Sequence, residues 1–198
     1  MFLFKQPTRD NLRQFLETQR NLPFSYAEVG ASQSVPPRGY IIDHNRVVLG
    51  HGQDVFTRAV AVLHRWAMFD IGWVSLCWPD ASIEVGTVVG VLARLPGCWS
   101  LNACRIVYLV DEDGPVRRYG FAYGTLPEHA ERGEERFLIE WNRHDDTVSY
   151  DLLAFSQPNQ LLVRLGFPVA RLLQKRFAQA SKQAMLRSVG SKVVRETI

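Results

Sequence analysis

The chain has 198 residues, of which 46% are hydrophobic and 22% charged, with a formal net charge of +3. These fractions exclude disorder on the scale of a domain, and the length suits one core better than two. No apolar run nears the ~18 residues of a membrane span, and MFLFKQPTRD lacks the basic-then-apolar order of a signal peptide, so a cytoplasmic location is expected.

In chain order, Thr8 reads as the N-cap of a leading helix over residues 9–20. Leu12, Phe15, Leu16 and Gln19 recur at helical spacing, and Asn21 and Pro23 stop the run. Ser25–Val29 and Gly39–Leu49 have strand character, with a Gly-, Ser- and Pro-containing loop between them. After Gly50-His51-Gly52 the period changes. Val55, Phe56, Ala59, Val60, Leu63, Trp66 and Ala67 predict an amphipathic helix over Gln53–Phe69. From Ile71 the pattern is that of strands: Ile71–Trp78, Ile83–Arg94, Cys98–Val110, Val116–Leu126, Glu134–Trp141 and Thr147–Ser156, separated by turn residues. One parity is broken. Along Trp99, Leu101, Ala103, Val107 and Leu109 the same face also carries Arg105, so either a cation faces the core or a bulge near Asn102 resets the alternation; the bulge is favoured. After Pro158, Leu161, Leu162 and Leu165 suggest a short turn. Pro168 then suits the start of a final helix whose apolar stripe is Val169, Leu172, Leu173, Phe177, Ala180 and Ala184, and the tail over 188–198 is expected to fray.

Residues 1–198 therefore read as one α+β domain: a curved antiparallel sheet of about six to seven strands wrapped on a long C-terminal helix, a helix-grip arrangement, with a leading helix and a helix after the first strands. The final helix is the element long enough to cover the sheet, and curvature propped open by rings leaves room for a cavity.

The chemistry concentrates in YGFAYGTLPEHAERGEERFLIEW. Tyr119, Phe121, Tyr123 and Thr125 alternate with Gly120, Ala122, Gly124 and Leu126, putting rings on one face and small residues on the other, where another backbone can approach. Pro127 ends that strand, and His129, Arg132, Arg136 and four glutamates crowd beside the rings. An apolar wall with a charged rim suits a ligand. Glu135 shares parity with Phe137, Ile139 and Trp141, so an inward face makes it a buried carboxylate in need of a partner. Arg105, Arg136 or His129 could supply a structural ion pair; the alternative is a group that orients a ligand or moves a proton. Trp66, Trp73, Trp78, Trp99 and Trp141 are either cavity lining or plain core, with core favoured.

Other constellations are weak. Gly50-His51-Gly52 lacks the glycine spacing of a phosphate loop and reads as a strand-to-helix turn. The five histidines and three cysteines show no metal-ligand spacing, so no metal or cofactor is expected. Cys77, Cys98 and Cys104 are odd in number and form no CxxC pair, which suggests reduced thiols. From Arg164 onward eight basic residues stand against Glu196, a net of +7, while fifteen bases against nineteen acids leave −4 before it. A solvated helix face is the expected reading of that asymmetry, and nucleic acid and membrane are not expected as partners, since aromatic residues are not interleaved with the cations.

LGHGQDVFTRAV, LHRWAMFDIGW, GFAYGTLPEHAERGEERF and AFSQPNQLLVRLGFP resemble the family called domain of unknown function nineteen-ninety, over nearly the whole chain from Asn21 onward. The resemblance implies the helix-grip superfamily of birch-pollen-allergen-like and START-related proteins, whose common use is binding apolar or amphipathic small molecules, with a minority of enzymes. It carries over no catalytic residues. Three functions follow as expectations. The first is a module holding a hydrophobic or amphipathic small molecule between sheet and final helix, with Tyr123, Glu135, His129, Arg136, Arg105, Phe121, Thr125, Trp66 and Trp99 as candidate pocket residues. The second is a cyclase, hydratase or hydrolase in which Glu135 or His129 moves a proton and Tyr123 donates a hydrogen bond. The third is contact with anionic lipid or nucleic acid through the basic helix.

Overall fold

The computed structural model describes residues 1–160 and 166–190. Among them are eight strands, β1 (Phe2–Leu3), β2 (Ile41–His51), β3 (Val74–Leu76), β4 (Val88–Leu95), β5 (Cys98–Glu112), β6 (Val116–Thr125), β7 (Glu131–Asn142) and β8 (Thr147–Pro158), and three α-helices, α1 (Arg9–Gln19), α2 (Gln53–His64) and α3 (Phe167–Gly190). All strand pairs are antiparallel, in the order β2-β8-β7-β6-β5-β4-β3, with β1 added to β5 beyond the end of β6. Both α2 and α3 lie over one face, and α1 packs on the other. This is the helix-grip arrangement read from the pattern.

Local chemistry accounts for the element ends. Thr8 Oγ1 accepts the Asn11 N–H while Asn11 Oδ1 accepts the Thr8 N–H, a reciprocal cap that starts α1. The end of α1 is held by a residue far away in sequence. The Arg105 guanidinium, from β5, donates to the carbonyls of Gln19, Arg20 and Leu22 and lies 5.2 Å from the Phe24 ring centre. A cation is favoured there by the carbonyls left open at a helix C-terminus. This corrects the expectation at Arg105: the face it shares with Leu101 and Ala103 is the outer one, under α1, so no cation enters the main core. A bulge does exist, but between Ile106 and Tyr108 rather than near Asn102.

Helix α2 stops at His64, short of the predicted Phe69, because Trp66 takes a left-handed backbone (φ 54°) before a 3-10 turn at Ala67–Phe69. That turn drives Met68 and Phe69 into the core. Strands predicted as Ile71–Trp78 and Ile83–Arg94 shrink to β3 and β4, and β7 begins earlier than predicted, at Glu131. The frayed tail is also corrected at its start: α3 continues to Gly190 and buries Val189. The turn expected at Leu161, Leu162 and Leu165, and residues 191–198, lie outside the described residues.

Ser25–Val29 is not a strand. Residues 21–40 form a strap across the outer face of the sheet, in which Ser25 N bonds to Thr125 O and Glu134 anchors the part that follows. Its carboxylate, 2% exposed, accepts from Tyr26 Oη (2.7 Å), Gly30 N (2.7 Å), Ser32 N (3.0 Å) and Ser32 Oγ. Backbone donors bound to a carboxylate cannot also pair with a neighbouring strand. The small face of β6 makes room for the strap: a Cβ at Gly124 would lie 2.2 Å from Tyr26 Oη. Glu134→Gln replaces charge-assisted acceptors with one neutral oxygen and turns an NH2 toward buried donors. It should lower unfolding stability by about 3 kcal/mol, read from the urea midpoint.

Candidate functional site

Sheet register arranges the inner face in rows. One row runs Asp43 on β2, Ala154 on β8, Glu135 on β7, Tyr123 on β6 and Ile106 on β5. Next to it on one side are Ile41, Ser156 and Gly133, with Thr125 bonded through its hydroxyl to Gly133. On the other side are Asn45, Leu152, Phe137 and Phe121. Phe121, Phe137, Phe69 and Trp66 pack ring against ring and fill that half of the inner space. In the half that includes the Asp43–Tyr123 row the filling stops, since Ala154 carries only a methyl group and Gly133 has no side chain. The result is a cavity of about 590 Å³ between the sheet and α3.

The cavity has two ends. Phe69, Trp73, Val74, Val91, Ala93, Leu95, Leu152, Leu173 and Phe177 make an apolar wall. Asp43, Glu131, Glu135, Ser156 and Gln174 make a polar one. At the polar end Arg171 grips Asp43 with two hydrogen bonds, of 2.5 and 2.8 Å. Gln174 Nε2 donates to the Glu131 carboxylate and to Ser156 Oγ (3.0 Å). Glu135 receives one hydrogen bond, from Tyr123 Oη at 2.7 Å, and among the described residues no cation pairs with it. Its remaining surface faces the cavity.

Burial sets the protonation states. It raises the Glu135 carboxyl from 4.5 to about 7, against the Tyr123 hydrogen bond and with help from the charges of Glu131 and Asp43. Glu131 is raised too, chiefly by burial. His129 is pushed from 6.5 down to about 4, again chiefly by burial. Its Nδ1 lies 3.0 Å from Glu131 N and 2.9 Å from Glu131 O, accepting from the first or donating to the second according to the tautomer. Tyr123 is raised well above its usual range by burial.

Of the candidates read from sequence, Tyr123, Glu135, Thr125 and His129 line the cavity. Phe121 and Trp66 lie in the adjacent aromatic core, Trp66 donating its N–H to Ala81 O at 2.9 Å. Trp99 sits in the outer cluster beneath Arg94. The three expected ion-pair partners of Glu135 are engaged elsewhere. Arg105 caps α1, His129 bonds backbone, and Arg136, on the opposite pleat, binds Asp151 (3.0 Å) and Ser32 O (2.9 Å) on the outer face. Of the five tryptophans read as lining or core, Trp73 lines the cavity; Asp43, Glu131, Ala154, Phe69 and Gln174 were missed. A signal existed for two: Asp43 is a charge on the inward parity of β2, and Gln174 is a polar residue beside Leu173 and Phe177 on the covering helix.

Of the basic residues of α3, Lys175, Arg176 and Arg187 are exposed, as expected of a solvated face, while Arg171 and Lys182 are half-buried. Arg171 is held by Asp43, Arg176 lies 5.0 Å from the Trp73 ring centre, and Lys182 donates to Asn45 at 3.2 Å. Among the described residues no helix is long and apolar enough to cross a membrane, and no group of three or more His, Cys, Asp or Glu is placed to hold a metal ion.

Residues 25–184 match the family model described as Domain of unknown function (DUF1990). A UPF0548 protein of Dictyostelium discoideum is 37% identical, over 96% of this chain and 97% of that protein. Among solved structures, a hypothetical protein from Helicobacter pylori superposes with a TM-score of 0.50 at 12% identity, covering 83% of this chain and 95% of that one. Human STARD10 gives 0.45 at 12% identity, covering 92% and 81%.

Titration of the site predicts a pH signature. A carboxyl raised from 4.5 to about 7 holds its proton more tightly folded than unfolded, so the stability it contributes is full below 4.5 and is lost as pH rises toward 7. His129, lowered from 6.5 to about 4, works in the opposite direction, with stability rising across that interval. The two slopes oppose each other where they overlap. Glu135→Gln should therefore gain on the wild type by a margin that grows from about pH 5 to pH 8 and reaches ~3 kcal/mol, while His129→Gln should steepen the fall. Urea unfolding at a series of pH values measures both; a constant margin for Glu135→Gln would contradict the burial of its carboxyl.

Proposed function

The chain belongs to the DUF1990 family, and on that premise we propose that it is a binding protein which holds a hydrophobic or amphipathic small molecule between the sheet and α3. The observation that carries this reading is the cavity of about 590 Å³ with its long apolar wall and a few convergent polar groups at one end, the composition of a small-molecule site. An interior at ordinary packing density would have closed this space with larger side chains at positions such as Ala154. Tyr123, Glu135, His129 and Thr125 are its polar contacts from the original reading, joined by Asp43, Glu131, Ser156 and Gln174.

A second reading uses the same cavity and makes Glu135 a proton-transferring group. A carboxyl raised to about 7 beside a tyrosine hydroxyl at 2.7 Å is poised for general acid–base work near neutral pH. Burial alone accounts for most of that shift, so binding is the reading we adopt. Contact with anionic lipid or nucleic acid is the weakest of the three, because Arg171 and Lys182 are engaged by Asp43 and Asn45 and, among the described residues, no exposed aromatic is interleaved with the exposed cations.

Fluorescence of N-phenylnaphthylamine, a neutral apolar probe that brightens on leaving water, tests the binding reading. The wild type should enhance its emission saturably. Ala154→Phe fills the space beside Glu135 and should weaken uptake at least tenfold, whereas the same kind of enlargement at exposed Val85, in Val85→Phe, should leave it unchanged. No saturable enhancement in the wild type, or equal uptake by Ala154→Phe, would refute this location.

A further inference from the structure

Resting on the binding reading above, we infer that the ligand has an apolar body and a cationic amine head, and that the head sits in the notch above Ala154 between Asp43 and Glu135. Three geometric facts support this. First, the row Asp43–Ala154–Glu135–Tyr123 places two carboxylates on either side of a methyl group, so the floor between them is open. Second, the charges there do not balance. Among the described residues three carboxylates share one cation: Arg171 pairs with Asp43 and its charge also reaches Glu131, whose hydrogen bonds come from the neutral Gln174 and Ser156, while Glu135 is met by the neutral Tyr123. Third, both carboxylates whose hydrogen bonds come from neutral groups among the described residues, Glu131 and Glu135, line the same cavity, which they share with an apolar wall that includes Trp73 and Phe177.

A carboxylate shielded from water interacts far more strongly with a nearby charge than it does in bulk solvent. An ammonium group arriving between Asp43 and Glu135 relieves the repulsion among the acids and offers donors to the oxygens that Tyr123 leaves unbonded. A carboxylate or phosphate head adds to the repulsion and finds Arg171, the one cation at this end among the described residues, already gripped at both nitrogens by Asp43. An alcohol can hydrogen-bond but gains no charge attraction. The order of preference is therefore amine, alcohol, acid.

The same geometry fixes the direction of the pH effect. The groups facing Glu135 are Asp43 from β2, Cys104 from β5, Tyr123 from β6, Glu131 from β7, Tyr150 from β8 and Arg171 from α3. Cys104, Tyr123 and Tyr150 are raised by burial and stay neutral near neutrality, and Glu131 is shifted in the same direction as Glu135. Amine binding selects ionised Glu135, so it releases a proton and strengthens as pH rises through the titration of that carboxyl.

Naphthylethylamine, naphthylethanol and naphthylacetate share one apolar body and differ in the head, and each can be titrated against bound N-phenylnaphthylamine in the full chain. The amine should bind at least ~tenfold tighter than the acid, with the alcohol between them, and the amine-to-alcohol ratio should rise from about pH 6 to 8. In Glu135→Gln that ratio should fall about tenfold and lose its pH dependence. Tyr123→Phe is a second variant in case the first folds poorly. It removes the hydrogen bond that favours ionised Glu135, so its ratio should rise at a higher pH than in the wild type. If the neutral probe binds but the three heads are equal, the acid is preferred, or both variants keep the wild-type ratio, this inference is wrong and the binding reading stands. If no probe binds, the binding reading fails and takes this inference with it.

Discussion

Two adjacent glutamates on β7 carry opposite halves of the structure, and the pleat of the strand is what separates them. Side chains alternate along a strand, so Glu134 must face outward if Glu135 faces inward. Outward, Glu134 gathers Tyr26, the Gly30 and Ser32 backbone and the Ser32 hydroxyl, and so holds a twenty-residue strap against the sheet. Inward, Glu135 has a single tyrosine hydroxyl and a cavity. One carboxylate is saturated and the other is left unsaturated. A buried charge without a partner is costly, and the protein meets that cost by letting the proton return near neutral pH.

The register of the central strands decides how the interior is divided. Phe121 and Phe137 are cross-strand partners and stack at 5.2 Å, with Trp66 and Phe69 closing over them from the segment after α2. That is a filled core. Two residues further along the same strands, the partners are Tyr123 and Glu135, and the next strand contributes Ala154. Ring packing gives way to an open, mixed surface over one strand repeat. Helix α3 spans both regions: near its start Arg171 and Gln174 reach down to acids, and further on Ala178 and Met185 pack into the core. The helix is thus the roof of the cavity and the lid of the core at once, with Arg171 and Lys182 drawn inward to Asp43 and Asn45 while Lys175, Arg176 and Arg187 stay exposed.

The outer face is also a packed surface. Arg105 closes the end of α1, while Leu101, Ala103 and Leu126 pack against Leu12 and Phe15. This second cluster explains why alternation along β5 looked broken in the sequence. When both faces of a strand are covered, hydrophobic parity no longer distinguishes inside from outside.

What the sequence determined by itself was whatever rests on local periodicity and composition. Apart from the strand expected at Ser25–Val29 and the short β1, the helix-strand order, the antiparallel meander, the long covering helix and the small face of β6 were legible, because each follows from side-chain spacing within one segment. So was the parity of Tyr123 and Glu135. Only the tertiary structure decided which of the nearby cations meets Glu135, and the answer was none of them. Arg136 is next to it in sequence and therefore on the opposite face, and Arg105 is held by helix carbonyls. Likewise Asp43 joins the site through a strand pairing whose partners lie over a hundred residues apart, β2 beside β8, and Ala154 through the register of β8 beside β7. Spacing along a chain fixes which face a residue takes; which residues share that face depends on long-range register, and no single segment contains it.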